Sequence, residues 1–254
     1  MQSKLHSKLE AAPTIIYPES DGKPMAETDL HRDLMMDFIE TLKHHFREDA
    51  VYVSGNLLIY YERGDRTKSV SPDVFVVHGV GKKRRRTYLT WEEGKTPDFV
   101  VEVSSRSTYK EDINRKKELY ARVLEVEEYY IYDPEGQIDS PFIGYRLVDG
   151  EYEEIEFVDS RLPSNVLGLE LGEHNETLSL YDPRTRKWLQ PAPKRAEIAE
   201  ARAEQEADAR RSAEARAEQE ADARQQEADA RQTAEAQLAQ ALAELERLRG
   251  QNNH

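Results

Sequence analysis

The sequence predicts an α/β fold, a sheet flanked by helices, followed by one long C-terminal helix. Three observations carry this. Between residues 28 and 158, short apolar runs rich in β-branched and aromatic residues alternate with segments of helical period. All 11 prolines and 11 of the 12 glycines precede Lys194, as does every aromatic residue, so turns and core belong to the first part of the chain. From Lys194 onward the composition is almost only Ala, Glu, Gln, Arg and Asp, chiefly strong helix formers, and no Pro or Gly interrupts it before Gly250. The 254 residues therefore divide into a folded domain (1–193), a helix or coiled coil (194–249) and a short disordered tail (250–254).

Taken in order, residues 13–25 form an irregular entry rich in Pro, Gly and Asp. Thr28 or Asp29 caps a helix running to about Phe46, with Leu30, Leu34, Phe38, Ile39 and Leu42 at helical spacing. Val51–Tyr61 reads as a strand or hairpin arm, and residues 72–77 and 97–104 as strands. Tyr109–Leu124 is a helix, Glu128–Asp133 a strand ended by Asp-Pro, and Phe142–Val158 a hairpin turning at Asp149-Gly150. In the tail, ARAEQEADAR occurs at 201–210 and again at 215–224, and EADAR starts at Glu206, Glu220 and Glu227, offsets of two heptads and one. Such a helix of roughly 55 residues extends about 80 Å. Its middle offers only alanines as a seam, whereas Leu238, Leu242, Leu245 and Leu248 form a ridge suited to a second copy, so a homodimer is expected.

Several classes are excluded. With no cysteine there is no disulfide framework, thiolate zinc site or cysteine nucleophile. No apolar run reaches about 18 residues, and the N-terminus lacks a basic-then-apolar signal pattern, so no membrane association and a cytoplasmic location are expected. The net charge of −14 argues against a general nucleic-acid coat protein. The tail holds 10 basic and 14 acidic residues, so most of that charge sits on the domain, and any nucleic acid must meet a local basic patch.

Two segments, SPDVFVV at 71–77 and TPDFVVEV at 96–103, each begin with Pro-Asp and run into an apolar strand. Glu102 is the anomaly, a carboxylate inside a run that should be wholly apolar; unpaired burial there costs several kcal/mol, so it needs a cation or hydrogen bonds. Asp98 shares its strand face but lies about 13 Å away, too far for one Mg²⁺, and is expected to start the strand with its side chain in water. Asp73 is better placed if its strand lies beside that of Glu102, about 4.8 Å away, and the pair then suits a hard divalent cation that keeps several waters. On the following helix, Lys116 and Lys117 fall about 40° and 60° to either side of the apolar stripe Tyr109, Ile113, Tyr120, Val123 and Leu124, and spacing does not choose between them. Asp112 stands one turn before Lys116 and can pair with it. Lys82, Lys83, Arg84, Arg85 and Arg86 form the one dense basic run, either a phosphate grip or a solvated loop.

These motifs, together with YPESDGKPM at 17–25, SSRST at 104–108 and EYYIYDP at 128–134, resemble the bacterial Uma-type "putative restriction endonuclease" family of the PD-(D/E)XK nuclease superfamily, over nearly all of residues 13–190. The resemblance implies a restriction-endonuclease-like central mixed sheet between helices. Its aspartate matches Asp73 and its glutamate Glu102. The lysine that usually follows the glutamate by two residues is replaced here by Ser104; the resemblance implies that it has moved to the helix, as Lys116. It also implies an accessory acid from the first helix, with Glu27, Asp37 and Glu40 as candidates, and leaves EYYIYDP as sheet core and turn.

The expected function is a Mg²⁺- or Mn²⁺-dependent endonuclease hydrolysing phosphodiester bonds of nucleic acid, DNA foremost. Asp73 and Glu102 hold the metal with the carbonyl of Val103, and Lys116 stabilises charge. Asp112 and Tyr120 are accessory candidates, and Lys82–Arg86 and Arg106 are candidates for gripping phosphates. The competing reading is a catalytically silent nucleic-acid-binding or scaffold protein with a coiled-coil arm, which would be preferred if Asp73 and Glu102 stood more than about 8 Å apart.

Overall fold

The structure is a computed structural model and describes residues 15–20 and 28–251. Glu27, named above as an accessory acid, lies outside the described residues, as does the 21–25 part of the entry segment.

Helix α1 (Asp29–His45) starts where predicted: the Thr28 hydroxyl accepts from the His31 amide at 3.2 Å. Its buried face is Leu34, Met35, Phe38, Ile39 and Leu42, while Leu30, expected on that face, is exposed. The strands are β1 (Val51–Ser54), β2 (Ile59–Tyr60), β3 (Ser69–Val70), β4 (Val74–His78) and β5 (Tyr88–Leu89), followed by a single turn of helix, α2 (Thr90–Glu93), and β6 (Phe99–Val103). The helix predicted at 109–124 is a composite of α3 (Tyr109–Glu111), a π-helical segment (Asp112–Lys116) and α4 (Lys117–Arg122). Then come β7 (Glu128–Tyr132), β8 (Phe142–Val148), β9 (Glu151–Glu154), β10 (Arg161–Ser164), β11 (Leu169–His174), β12 (Thr177–Asp182) and β13 (Lys187–Trp188).

The central sheet has the order β1-β4-β6-β7-β8-β9 and is mixed: β6 and β7 run parallel, and its other neighbours are antiparallel. Strands β4, β6 and β7 read as continuous apolar runs because both faces are covered. One face, with Val74, Val76, Phe99, Val101 and Val103, packs with α1 and with leucines of a four-stranded antiparallel sheet, β10-β11-β12-β13. The other face, with Phe75, Val77 and Val100, packs against Tyr120, Leu124, Ile59 of β2, Tyr88 of β5 and Tyr129 of β7. The β8–β9 hairpin turns at Asp149-Gly150 as predicted, both with positive φ (+50° and +83°), the geometry that matches strand twist.

The four-stranded sheet was not assigned from the sequence. Its alternation is real (Leu169 and Leu171, Leu178 and Leu180 point inward), but the strands are short and carry Glu and Gly, which are depleted in sheets. The motif EYYIYDP is sheet core and turn. Within it Glu128 is buried, accepting from Arg146 at 3.0 Å and from the Asn165 amide at 2.9 Å, so this charge is fully satisfied inside the scaffold. The Asp133 carboxylate holds the amides of Glu135 and Ile138, both at 2.9 Å, which fixes the turn.

The second unit begins at the end of the domain with one helix, α5 (Ala192–Gln251), two residues earlier than predicted. Its sequence alternates charges at i and i+4, as in Arg210 with Glu214 at 2.8 Å and Arg231 with Glu235 at 3.1 Å, which supports a solvated helix. Leu238 and Leu242 of the expected ridge are exposed; the side chains of Leu245 and Leu248 lie outside those described.

Candidate active site

Strand pairing assembles the site. Register β4–β6 matches Val74 with Val101 and Phe75 with Val100, so one further step sets Asp73 opposite Glu102. Side chains alternate along a strand, and both carboxylates therefore project from the face that carries Tyr120. The contact is direct: the Val103 amide donates to Asp73 Oδ2 at 2.7 Å, and the Asp73 amide lies 3.4 Å from Glu102 Oε2. On the other side, Gly55 lets the end of β1 come close to the Asp73 backbone, because a Cβ there would sit 1.9 Å from the carbonyl oxygen of Asp73.

The helix supplies the cation. Lys116 Nζ lies 2.9 Å from Glu102 Oε2 and 3.0 Å from Asp112 Oδ1. Lys117 turns away, its ammonium 3.7 Å from the centre of the Tyr145 ring, so the two lysines that spacing left open are separated by their partners. The π-helical segment spans Asp112 to Lys116 and presents both side chains to the sheet; such widened turns concentrate at functional sites. Asp112 is not the weak surface partner that helical spacing suggests. It is 1% exposed, and its Oδ2 accepts from Ser104 Oγ at 2.8 Å. Ser104 thus steadies the acid that pairs with Lys116. Tyr120 is fully buried and donates to Glu102 Oε1 at 2.6 Å.

Three carboxylates face one ammonium in this cluster. Burial pushes the Glu102 carboxyl up to about 8; Lys116 opposes the rise, and Asp73 and Asp112 add to it. Burial alone would lower Lys116, but Glu102, Asp112 and Asp73 outweigh it and hold the amine above its ordinary value, so it stays cationic. The Tyr120 hydroxyl is pushed well above its usual range, first by burial and then by Glu102, and acts as a donor only.

Among the described residues of the first helix, His31, which sequence reading missed, reaches Asp73. Its Nε2 lies 3.3 Å from Asp73 Oδ1, whereas Asp37 and Glu40 are on the exposed side, Glu40 paired with Lys43 at 2.8 Å. The signal was available: residues 31, 34, 35 and 38 lie on one helical face. Asp98 is corrected as well. It stays out of the cluster as expected, but it is buried, accepting from the His78 amide at 2.6 Å and pairing with Lys95 at 2.9 Å.

Most of the basic run is engaged by partners within the protein, though only the Arg85 side chain is buried. Lys82 donates to the carbonyls of Phe46 and Arg47 at 2.6 and 2.8 Å, closing the end of α1. Arg85 makes a two-pronged pair with Glu93 at 2.9 and 2.7 Å over the Tyr52 ring, and that pairing holds Glu93 down at about 2. Lys83 approaches Glu93 at 3.1 Å and Arg86 bonds Glu19 at 2.8 Å, whereas Arg84 is exposed with no such partner among the described residues. Arg106 is exposed on the loop that follows β6.

A mixed sheet with adjacent acids at one end of its central strands and a lysine on the covering helix defines an α/β domain built around a charged, partly open cluster. The family model described as "Putative restriction endonuclease" (Uma2) matches residues 6–179. The chain belongs to the Uma2 family. The crystal structure of a "putative nuclease" from Anabaena variabilis is similar at 18% identity and a TM-score of 0.42, covering 57% of this chain and 76% of that one. No curated relative matches the chain. No described helix is long and apolar enough to cross a membrane.

Proposed function

We propose that the protein is a divalent-metal-dependent endonuclease that hydrolyses phosphodiester bonds of nucleic acid, with DNA as its substrate. The observation that carries this is Lys116, locked between Glu102 and Asp112 beside Asp73. Close contact of Asp73 with Glu102 favours this reading over a silent scaffold, for which the acids would stand apart.

The donor chemistry fits Mg²⁺ or Mn²⁺: hard oxygens, and a cluster with more negative than positive charge. Among the described residues no group of three or more His, Asp or Glu side chains is arranged to hold a metal, so the cation would rest on Asp73, Glu102, the Val103 carbonyl and water. When bound it would supply Lewis acidity and lower the pKa of water at the scissile phosphate. The protein's own groups have separate tasks. Lys116 places an ammonium where negative charge grows on the phosphoryl oxygens. Asp112 and Ser104 fix that ammonium, Tyr120 orients Glu102, and His31 with the Val103 amide orients Asp73.

Cleavage of plasmid and single-stranded DNA with Mg²⁺ or Mn²⁺ tests this. Asp73→Ala and Glu102→Ala should abolish it, and equal cleavage by wild type and both variants would overturn the assignment. The α5 helix is proposed to pair two copies through its Leu238–Leu248 end. A chain ending at Pro193 should then sediment as a smaller assembly, and unchanged stoichiometry would refute the pairing. A cytoplasmic setting goes with a nucleic-acid substrate.

A further inference from the structure

The central sheet has an open edge at β1, since that strand pairs only with β4 among the described residues. A trench of about 550 Å³ runs along this edge. One wall is the end of α1, with Lys43 and Arg47; the other is the basic loop, with Lys82, Lys83, Arg84 and Arg85; the floor is β1 itself. Among the described residues lining it, none is acidic, on a chain whose net charge is −14. Lys82 and Arg85 are held by internal partners and set the wall in place. At its exposed rim stand Lys43, Arg47, Lys83 and Arg84, two on each wall; the first three, themselves solvent-exposed, make ion pairs with Glu40, Glu48 and Glu93, weak enough for a phosphate to compete with, and Arg84 makes none among the described residues.

The trench points at the cluster. β1 ends at Ser54, which pairs with Phe75, and the next residue, Gly55, abuts the carbonyl of Asp73. The strand spans about 13 Å, at the usual rise per residue. A chain of phosphates lying along β1 between the two walls is thus led to Asp73. The volume falls within the range of about 300–1,000 Å³ typical of pockets for small ligands. That size matches the sugar–phosphate units of one strand lying between the walls.

We infer that the β1 trench is the substrate track and that it takes a single nucleic-acid strand, its phosphates gripped from both sides by Lys43, Arg47, Lys83 and Arg84. The inference rests on the nuclease reading and names the form of its substrate.

Fluorescence anisotropy of the full chain in EDTA, with a labelled oligothymidylate of about 20 nucleotides and a duplex of equal length at several salt concentrations, tests it. The single strand should bind more tightly than the duplex. Arg47→Glu with Arg84→Glu should weaken that binding at least about tenfold and lower the salt slope by about 1.4, two contacts at ~0.7 each for a single strand. Arg122→Glu, an exposed reversal outside the trench, should change neither. Unchanged binding by the double variant, preference for the duplex, or equal displacement of the oligonucleotide by polyglutamate would overturn the inference. Failures of the two readings are separable. Metal-dependent cleavage that is lost in Asp73→Ala, with trench variants binding as wild type, refutes the trench and keeps the nuclease. Trench-dependent binding with no cleavage by wild type refutes the nuclease and keeps the trench.

Discussion

Glu102→Gln should make the metal-free protein more stable at alkaline pH while abolishing the proposed chemistry. The carboxyl titrates near 4.5 when unfolded and is pushed up to about 8 in the fold, first by burial and further by Asp73 and Asp112. Between those values the folded state holds a proton that the unfolded state has released. Its contribution to stability is therefore complete below pH 4.5 and is lost as pH rises through 8. At about 1.4 kcal/mol per pH unit, flattening as pH nears 8, the stability difference between wild type and variant should move by roughly 2 kcal/mol toward the variant between pH 6 and 8. Glutamine keeps the size of the side chain, and its amide oxygen can accept the Tyr120 hydroxyl that Glu102 accepts at 2.6 Å. Urea unfolding followed by circular dichroism in EDTA at pH 6, 7 and 8 reads the effect. Parallel profiles for the two proteins would refute the reasoning, because Glu102 would then be ionised throughout and fully compensated by Lys116. Added Mg²⁺ should stabilise wild type at pH 8 and leave the variant nearly unmoved.

Lys116→Met leaves the buried Asp112 carboxylate without its cation and drives Glu102 further toward its neutral form, so calorimetry should show a loss of about 3–5 kcal/mol at neutral pH, and cleavage should fall by a factor of roughly 10² or more. Gly55→Ala drives a Cβ against the Asp73 carbonyl and Ile39, at 1.9 and 2.7 Å before relaxation. It should cost about 1–3 kcal/mol and slow cleavage on the order of 100-fold through displacement of Asp73, as read by melting temperature and single-turnover rate. Glu128→Ala strips Arg146 and the Asn165 amide of their partner far from the chemistry. It should lower the urea midpoint by about 3–5 kcal/mol equivalent while the remaining folded protein keeps its kcat.

What could be read from the sequence follows from how local each signal is. The rule that strand side chains alternate was enough to put Asp73 and Glu102 on one face once their strands were neighbours. Helical spacing brought Lys116 near the cluster but could not separate it from Lys117, because that choice depends on the widened turn at Asp112–Lys116 and on Tyr145, a residue of β8. The basic run was only partly legible for the converse reason. Its density suggested a phosphate grip, but Glu93 and the carbonyls of Phe46 and Arg47 occupy much of it, and those partners come from other elements. His31 was passed over because attention on the first helix went to its acids, although it lies on the same helical face as Leu34, Met35 and Phe38. Asp98 was misplaced because a Pro-Asp strand start does not reveal that the His78 amide waits for a carboxylate.

Placing the lysine on a helix divides the site between parts of unequal endurance. Asp73 and Glu102 belong to strands in the middle of a six-stranded sheet, whereas Lys116 rides on a composite helix whose outer residues, Lys110, Asn114, Arg115, Glu118 and Arg122, face solvent. Central strands open only with global unfolding, and short helices open at far lower cost. The proposed chemistry should therefore be lost at a lower temperature than the architecture. On warming, amides at 109–122 should exchange with deuterium well before those at 99–103 while the sheet persists. On cooling, the helix should close again over the sheet, so that this one element sets the temperature range of the proposed chemistry.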